Sequence, residues 1–171
     1  EGKKINIRNK IPLKTNREDK NNYTANVSFE RKNIIRVLKG PQFDYFSESS
    51  KKEFFSKEYK ITNLTDRMGM RLEGKILKNI VSTNIRSEGI TKGAIQVPAD
   101  GQPIVLLTDH PTIGGYPKIA NVISADYDLL VQKIPGTNIS FKCIELQEAE
   151  RLYKEWCSNI SKIVKNIKKI K

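Results

Sequence analysis

The sequence predicts a mainly β fold, a barrel or sandwich of short strands with brief helices between them and one long amphipathic helix at the C-terminus. Two observations carry this expectation. Between residues 34 and 146 seven short apolar runs rich in Ile, Val and Leu alternate with turns marked by Gly, Pro, Asn and Asp, which is how half-buried strands read. After residue 146 the period changes, and Ala149, Leu152, Tyr153, Trp156, Ile160, Ile163, Val164, Ile167 and Ile170 recur at three- and four-residue steps, which places them on one helical face.

Taken in order, residues 1–32 are rich in Lys, Asn and Arg and weakly periodic apart from Ile5, Ile7, Ile11 and Leu13; they read as a polar arm or connector. The barrel unit is expected over 33–146, with strands at 34–38, 59–64, 70–72, 94–97, 104–107, 119–123 and 139–146. Short helices fit at 50–57 and 125–132, the second stopped by Pro135-Gly136. The last unit, 147–171, is a helix with Glu145, Glu148 and Glu150 near its start and five lysines from residue 161 onward, the order the helix dipole favours. Its stripe is expected to pack on the barrel, with docking on a partner subunit as the second reading.

Composition narrows the function. A chain of 171 residues, 37% hydrophobic, can bury one sizeable core. Cys143 and Cys157 have no metal-type spacing and read as buried thiols of a reducing compartment. No run approaches the roughly 18–20 apolar residues of a membrane span, and the N-terminus has no signal-peptide layout, so a cytoplasmic protein without membrane contact is expected. The net charge of +12 lies at the ends: residues 64–146 hold nine Lys/Arg against eight Asp/Glu, whereas 1–60 hold fifteen against eight. Lys, Asn and Ile are abundant together, as coding bias toward A and T produces. No helix-turn-helix, zinc or stacking signature accompanies the charge, and nucleic-acid binding is not expected.

The chemistry-bearing side chains sit in three turn-rich clusters. In the first, Arg67 and Arg71 flank Gly69, and in an extended segment Arg71 and Glu73 share a face. Such a guanidinium can fork onto a carboxylate or phosphate, or simply close a loop with Glu73. Glu88, between Ser87 and Gly89, is a candidate general base or ligand anchor, or an ordinary turn acid. In the second cluster Gln96, Asp100 and Gln102 surround Pro98 and Pro103; fixed amides of this kind suit a lactam or urea-like edge. The third cluster holds Asp109, the lone His110, Thr112, Gly114, Gly115, Tyr116 and Lys118. Its glycines can offer backbone N–H groups to an anion that Lys118 neutralises. It is no Walker loop, and His110 without Cys or His partners is no metal site.

At these residues the chain resembles a known family. The words RVLKGPQFDYF (36–46), DRMGMRLEG (66–74), SEGITKGAIQVPADGQPIVLLTD (87–109) and TIGGYPKIA (112–120) resemble the allophanate hydrolase subunit 2 family, also described as the 5-oxoprolinase C-subunit or the Kip antagonist. They are also similar to the carboxyltransferase domain of biotin-dependent urea carboxylases. The resemblance implies a cyclophilin-like β-barrel, without implying prolyl isomerisation. It covers about residues 34–146 and only the C-terminal half of the family's subunit, with the opening EGKKINIRNKIPL resembling the connector that follows the first half. The chain departs from the family pattern at Met70, His110, Pro111 and Ile113.

The resemblance further implies a subunit of a 5-oxoprolinase-type amidohydrolase that opens 5-oxoproline to glutamate. ATP enters at the level of the complex, and the partners are a related sister subunit, of the type of allophanate hydrolase subunit 1 or the 5-oxoprolinase B-subunit, and the N-terminal half. A carboxyltransferase component, with biotin as carrier, is the alternative, and a non-catalytic module regulating a kinase inhibitor or sister subunit is the third. Carried over residue by residue, Arg71 and Lys118 are expected to bind an anion and Gln96 and Gln102 an amide. Glu88 or Asp100 is expected to transfer a proton. Arg67, Glu73, Asp109, Thr112, Gly114, Gly115 and Tyr116 complete the implied substrate site.

Overall fold

The computed structural model describes residues 22–24 and 32–170. Of the polar arm expected over 1–32, all but 22–24 and residue 32 lies outside the described residues. In chain order the elements are β1 (Asn22–Thr24), β2 (Ile34–Lys39), α1 (Glu48–Ser56), β3 (Tyr59–Ile61), β4 (Gly69–Glu73), β5 (Glu88–Gly89), β6 (Ala94–Gln96), β7 (Ile104–Leu106), β8 (Ile113–Gly114), β9 (Lys118–Val122), α2 (Ser124–Val131), β10 (Asn138–Cys143), α3 (Leu146–Lys165) and β11 (Lys168–Ile170). Seven strands close into a barrel in the order β10-β2-β9-β6-β7-β4-β3. Each of the seven runs expected from sequence supplies one of them.

Alternation explains the closure. In β2, Ile35 and Val37 are buried, and in β4 Met70 and Leu72 are buried while Arg71 and Glu73 are exposed, so each strand turns one face inward. The barrel fills with Ile95, Val105, Ile119 and Ile139 from neighbouring strands, all fully buried. Neighbours pair antiparallel except β2 and β10, which run parallel with Ile34 opposite Ser140; β10 then meets β3 to shut the ring. Parallel neighbours need a long crossover, and here residues 40–137, which hold the other five barrel strands, supply it.

The helices pack against the ring, α1 on the inward-facing core side chains of β10 and α2 on the outside of β2. Ser47 caps α1, its Oγ accepting from Ser50 N at 3.2 Å, and α1 lays Phe54 on Phe141 of β10 with ring centroids 4.7 Å apart and planes at 13°. The Asp126 carboxylate of α2 is buried and accepts from both the backbone N and the Nε of Arg36 in β2, at 2.8 and 2.9 Å. That contact fixes α2 against β2, because a buried carboxylate is tolerated only where charged and N–H partners surround it.

Gly40, just past β2, crosses β9 so closely that a Cβ there would lie 2.2 Å from the Lys118 carbonyl oxygen. The Gly40 amide donates to Ile119 O at 2.9 Å and the Gln42 amide to Lys118 O at 3.3 Å. The chain that leaves β2 is therefore held directly over the start of β9.

The C-terminal helix differs from expectation in what covers it. α3 spans 20 residues and rests against α2. Ala149 is its buried residue, whereas Tyr153, Ile160 and Val164 are 46%, 44% and 59% exposed. Past its end β11 pairs antiparallel with β1, Thr24 opposite Lys168. Cys143 and Cys157 are free and half-buried. Among the described residues no helix is long and apolar enough to cross a membrane.

Candidate functional site

The outer face of the β9-β6-β7-β4 side of the barrel carries a row of side chains that the pairing register defines. Arg71 lies opposite Ile104, Ile104 opposite Gln96, and Gln96 opposite Lys118. Directly opposed residues project from the same face of a sheet. Since Met70 and Leu72 fill the interior, Arg71 and the rest of the row face outward. Between Ile95 and Gln96 the register with β9 shifts by a bulge, a device that re-aims a side chain.

Over this row lies a ribbon made by β5 and β8, with Glu88 opposite Gly114 and Gly89 opposite Ile113. Backbone bonds from Ile90 N to Thr112 O at 3.1 Å and from Ile85 N to Gly115 O at 2.8 Å extend it. Ile90, Ala94 and Leu106 form a small second core beneath it, with Ile104 packed against them. The ribbon converts an exposed sheet face into a covered site.

Under the ribbon Lys118 is buried at 4% exposure, and its Nζ donates to Glu88 Oε1. The same oxygen accepts from Gln42 Nε2 at 2.7 Å, and Gln42 Oε1 accepts from Lys118 N at 3.2 Å. A buried ammonium needs such a partner, because the uncompensated charge is strongly unfavourable. The Lys118 hydrogen bond, helped by that from Gln42, holds the Glu88 carboxyl below its ordinary value of 4.5 against the opposing effect of desolvation. At neutral pH Glu88 is thus an ionised acceptor.

Because the folded state lowers the Glu88 pKa, the contribution of this contact is complete above the ordinary value of 4.5 and is lost as pH falls through the lowered one. Wild type is accordingly expected to melt higher than Glu88→Gln at neutral pH, and the two melting temperatures to converge on acidification below that window. A constant difference across the acid range would show that the ion pair does not anchor the ribbon.

Beside this pair lies an unsatisfied group. Gln96 is 6% exposed, and its Nε2 has no hydrogen-bond partner among the described protein atoms. A Cβ added to Gly114 would come 2.7 Å from that nitrogen, so only glycine fits against the amide at this position. Buried donors are almost always paired.

The other residues expected from sequence occupy several places. Arg71 is exposed about 10 Å from Gln96 along the row, two strand spacings away, and has no ion-pair partner among the described residues. Glu73 is exposed farther along β4, opposite Lys60. The Arg67 guanidinium meets Asp109 at 3.2 Å on the surface, closing the turns at the ends of β4 and β7. Asp100 accepts from Gln102 N at 3.0 Å, and the Gln102 amide clips Gly74 through bonds of 2.9 and 3.2 Å. Those two serve their own loop. Thr112, Gly115 and Tyr116 belong to the ribbon and its exit, and Tyr116 is 41% exposed.

The geometry therefore brings together Glu88, Gln96, Gly114 and Lys118, with Arg71 at the end of the row. Gln42 joins them: in the sequence it stands only within the word RVLKGPQFDYF, and the charge of Lys118 on a distant strand offers no local hint of its part. Among the described residues no group of three or more His, Cys, Asp or Glu could hold a metal ion.

The covered face of the closed barrel thus holds an unpaired amide donor beside a charge-balanced Lys–Glu pair. Residues 1–143 match the family model described as carboxyltransferase domain, subdomain A and B, and the chain belongs to that family. It is 42% identical over 117 residues to the 5-oxoprolinase C-subunit of Escherichia coli, covering 68% of this chain and 38% of that protein. To the C-subunit of 5-oxoprolinase from Haemophilus influenzae it is 40% identical over 121 residues, covering 71% and 39%. The crystal structure of the K. lactis urea amidolyase superposes with a TM-score of 0.73 at 26% identity, over 81% of this chain and 9% of that one. The chain thus spans about two fifths of the length of the bacterial relatives it matches.

Proposed function

We propose that this chain supplies the barrel of a 5-oxoprolinase-type subunit, which acts with a related sister subunit to open 5-oxoproline to glutamate. The observation that carries the reading is the buried, unpaired Gln96 Nε2 in front of Gly114. A lactam or carboxylate oxygen placed there satisfies the donor. Arg71, exposed on the same face, suits the substrate's carboxylate, and the ionised Glu88 orients Lys118; it can act only as a proton acceptor, and its lowered pKa makes it a weak one. Asp100, held in its own turn, stands outside that role.

ATP belongs to the assembly in this reading. The buried cation of the site, Lys118, is matched in charge by Glu88, and the Gly115 carbonyl, not an amide cradle, points into the ribbon bond with Ile85. These residues do not fit a triphosphate.

A second reading, a carboxyltransferase component of a urea carboxylase system, is favoured by the superposition on the K. lactis urea amidolyase. An amide donor beside Gly114 suits a ureido oxygen as well as a lactam, and biotin would be the carboxyl carrier there. The test mixes this chain with candidate sister subunits and measures ATP-dependent glutamate release from 5-oxoproline, omitting each component in turn. Release that requires this chain is expected and should fall about tenfold or more with Arg71→Ala. Release indifferent to its omission would remove the reading, and biotin-dependent carboxylation of urea would replace it with the second.

A further inference from the structure

We propose that Gln42 is a positioning residue of the covered site: with Lys118 it grips one oxygen of the Glu88 carboxylate, so that the other oxygen, Oε2, is the one presented to substrate. This rests on the reading given under the proposed function and deepens it by naming the group that sets the geometry of Glu88.

Three hydrogen bonds tie Gln42 to the site. Its Nε2 donates to Glu88 Oε1 at 2.7 Å, its Oε1 accepts from Lys118 N at 3.2 Å, and its backbone N donates to Lys118 O at 3.3 Å. The orientation of the amide is dictated by these partners, since an ionised carboxylate only accepts and a backbone N–H only donates. Gln42 is 8% exposed, so both ends of its amide need the partners they have.

Two donors meet the same carboxylate oxygen. Lys118 Nζ also donates to Glu88 Oε1, and among the described residues no donor meets Oε2. The Glu88 side chain is 43% exposed, whereas that of Lys118 is 5% exposed. A carboxylate held by one ammonium can turn about its last bond and exchange its oxygens. A second charge-assisted bond, arriving from the turn after β2 rather than from β9, fixes that rotation.

A plain staple between the β2 turn and β9 is complete without this bond. Gly40 N to Ile119 O, Gln42 N to Lys118 O and Lys118 N to Gln42 Oε1 already fasten the turn to the barrel. The ribbon has its own anchors in the backbone bonds from Ile90 N to Thr112 O and from Ile85 N to Gly115 O, and in the small core beneath it. The Nε2 bond instead crosses from one to the other. Its one partner is the Glu88 carboxylate, which it helps Lys118, the charged group acting there, to hold below the ordinary value of 4.5.

The experiment compares the full 171-residue chain with Gln42→Glu and Gln42→Met. The first keeps an oxygen for Lys118 N but loses the donor; the second follows the same path with no donor and only a weak acceptor. In each, the Glu88 carboxyl carbon is titrated by ¹³C spectroscopy, assigned by its loss in Glu88→Gln. Glutamate release from 5-oxoproline is measured alongside, with ATP and the sister subunits present. The Glu88 midpoint is expected to rise in both variants, and further in Gln42→Glu, where two carboxylates face one another. A fall in kcat of about tenfold or more is expected, with KM nearly unchanged because Arg71 and Gln96, which hold the substrate in the proposed reading, are untouched.

A lower melting temperature with the Glu88 midpoint unmoved would show a mere staple and overturn the proposal. Release that requires this chain but keeps its kcat in both variants would overturn it too, as would a loss confined to KM. Release that never requires this chain would sink the functional reading, and the Glu88 midpoint then decides the positioning role by itself. Unmoved, the role falls as well; raised in both variants, it stands for whatever substrate the site takes.

Discussion

Gln96→Leu is expected to make the isolated chain more stable and its assembly inactive. A buried donor without a partner costs about 1–3 kcal/mol, and Gln96 Nε2 is such a donor. Leucine is similar in volume and has nothing to satisfy, and it would sit beside Ile104 and the small core under the ribbon. A gain of about 1 kcal/mol, read as a rise of roughly 2–4 °C in melting temperature for a chain of this size, follows. The donor's purpose is then lost, and turnover should drop by about 10²-fold or more, as when a site built to bond a substrate oxygen loses that bond. Opposite signs in stability and activity are the mark of a group kept for function. A destabilised variant, or one with full turnover, would show that Gln96 is an ordinary buried amide.

Gly40→Ala should have the largest effect on the fold. The added methyl would meet the Lys118 carbonyl oxygen at 2.2 Å and Ala120 N at 2.8 Å, and backbone in the middle of a barrel cannot swing aside as a side-chain tip can. Overpacking costs about 1–3 kcal/mol where side chains can relax, and occasionally more; against fixed backbone about 3 kcal/mol or more is expected. The damage reaches the site, because the bonds from Gly40 N to Ile119 O and from Gln42 N to Lys118 O place Gln42 beside Glu88. Chemical denaturation should show a lower midpoint, and any folded fraction should bind substrate poorly. An unchanged midpoint would mean that β2 and β9 can part without cost.

The barrel was largely legible in the sequence for a physical reason. A strand with one face inward must alternate, and Ile35-Val37, Met70-Leu72 and Ile139-Phe141 record that alternation directly. Pairing was not legible: nothing local in Ser140 or Ile34 announces that they lie opposite one another. The ribbon escaped because each of its strands is two residues long and is shaped by glycine, which reads as a turn. Glu88, Gln96, Gly114 and Lys118 stand out in the sequence within turn-rich clusters, yet their convergence depends on the bulge after Ile95 and on a strand order that sequence does not display. Asp100 and Gln102 show the converse: polar residues around prolines can be committed to their own loops. For α3 the period revealed an apolar face but carried no information about what covers it.

The most direct measurement follows the Gln96 side-chain amide by ¹H–¹⁵N spectroscopy, assigned by its loss in Gln96→Leu, while 5-oxoproline is added to the labelled chain with its sister subunit present. The structure predicts a saturable downfield shift of that one NH₂ pair, reproduced by no other glutamine. Saturable binding that leaves the Gln96 resonances where they were would contradict the assignment of this pocket as the place where the substrate oxygen is held.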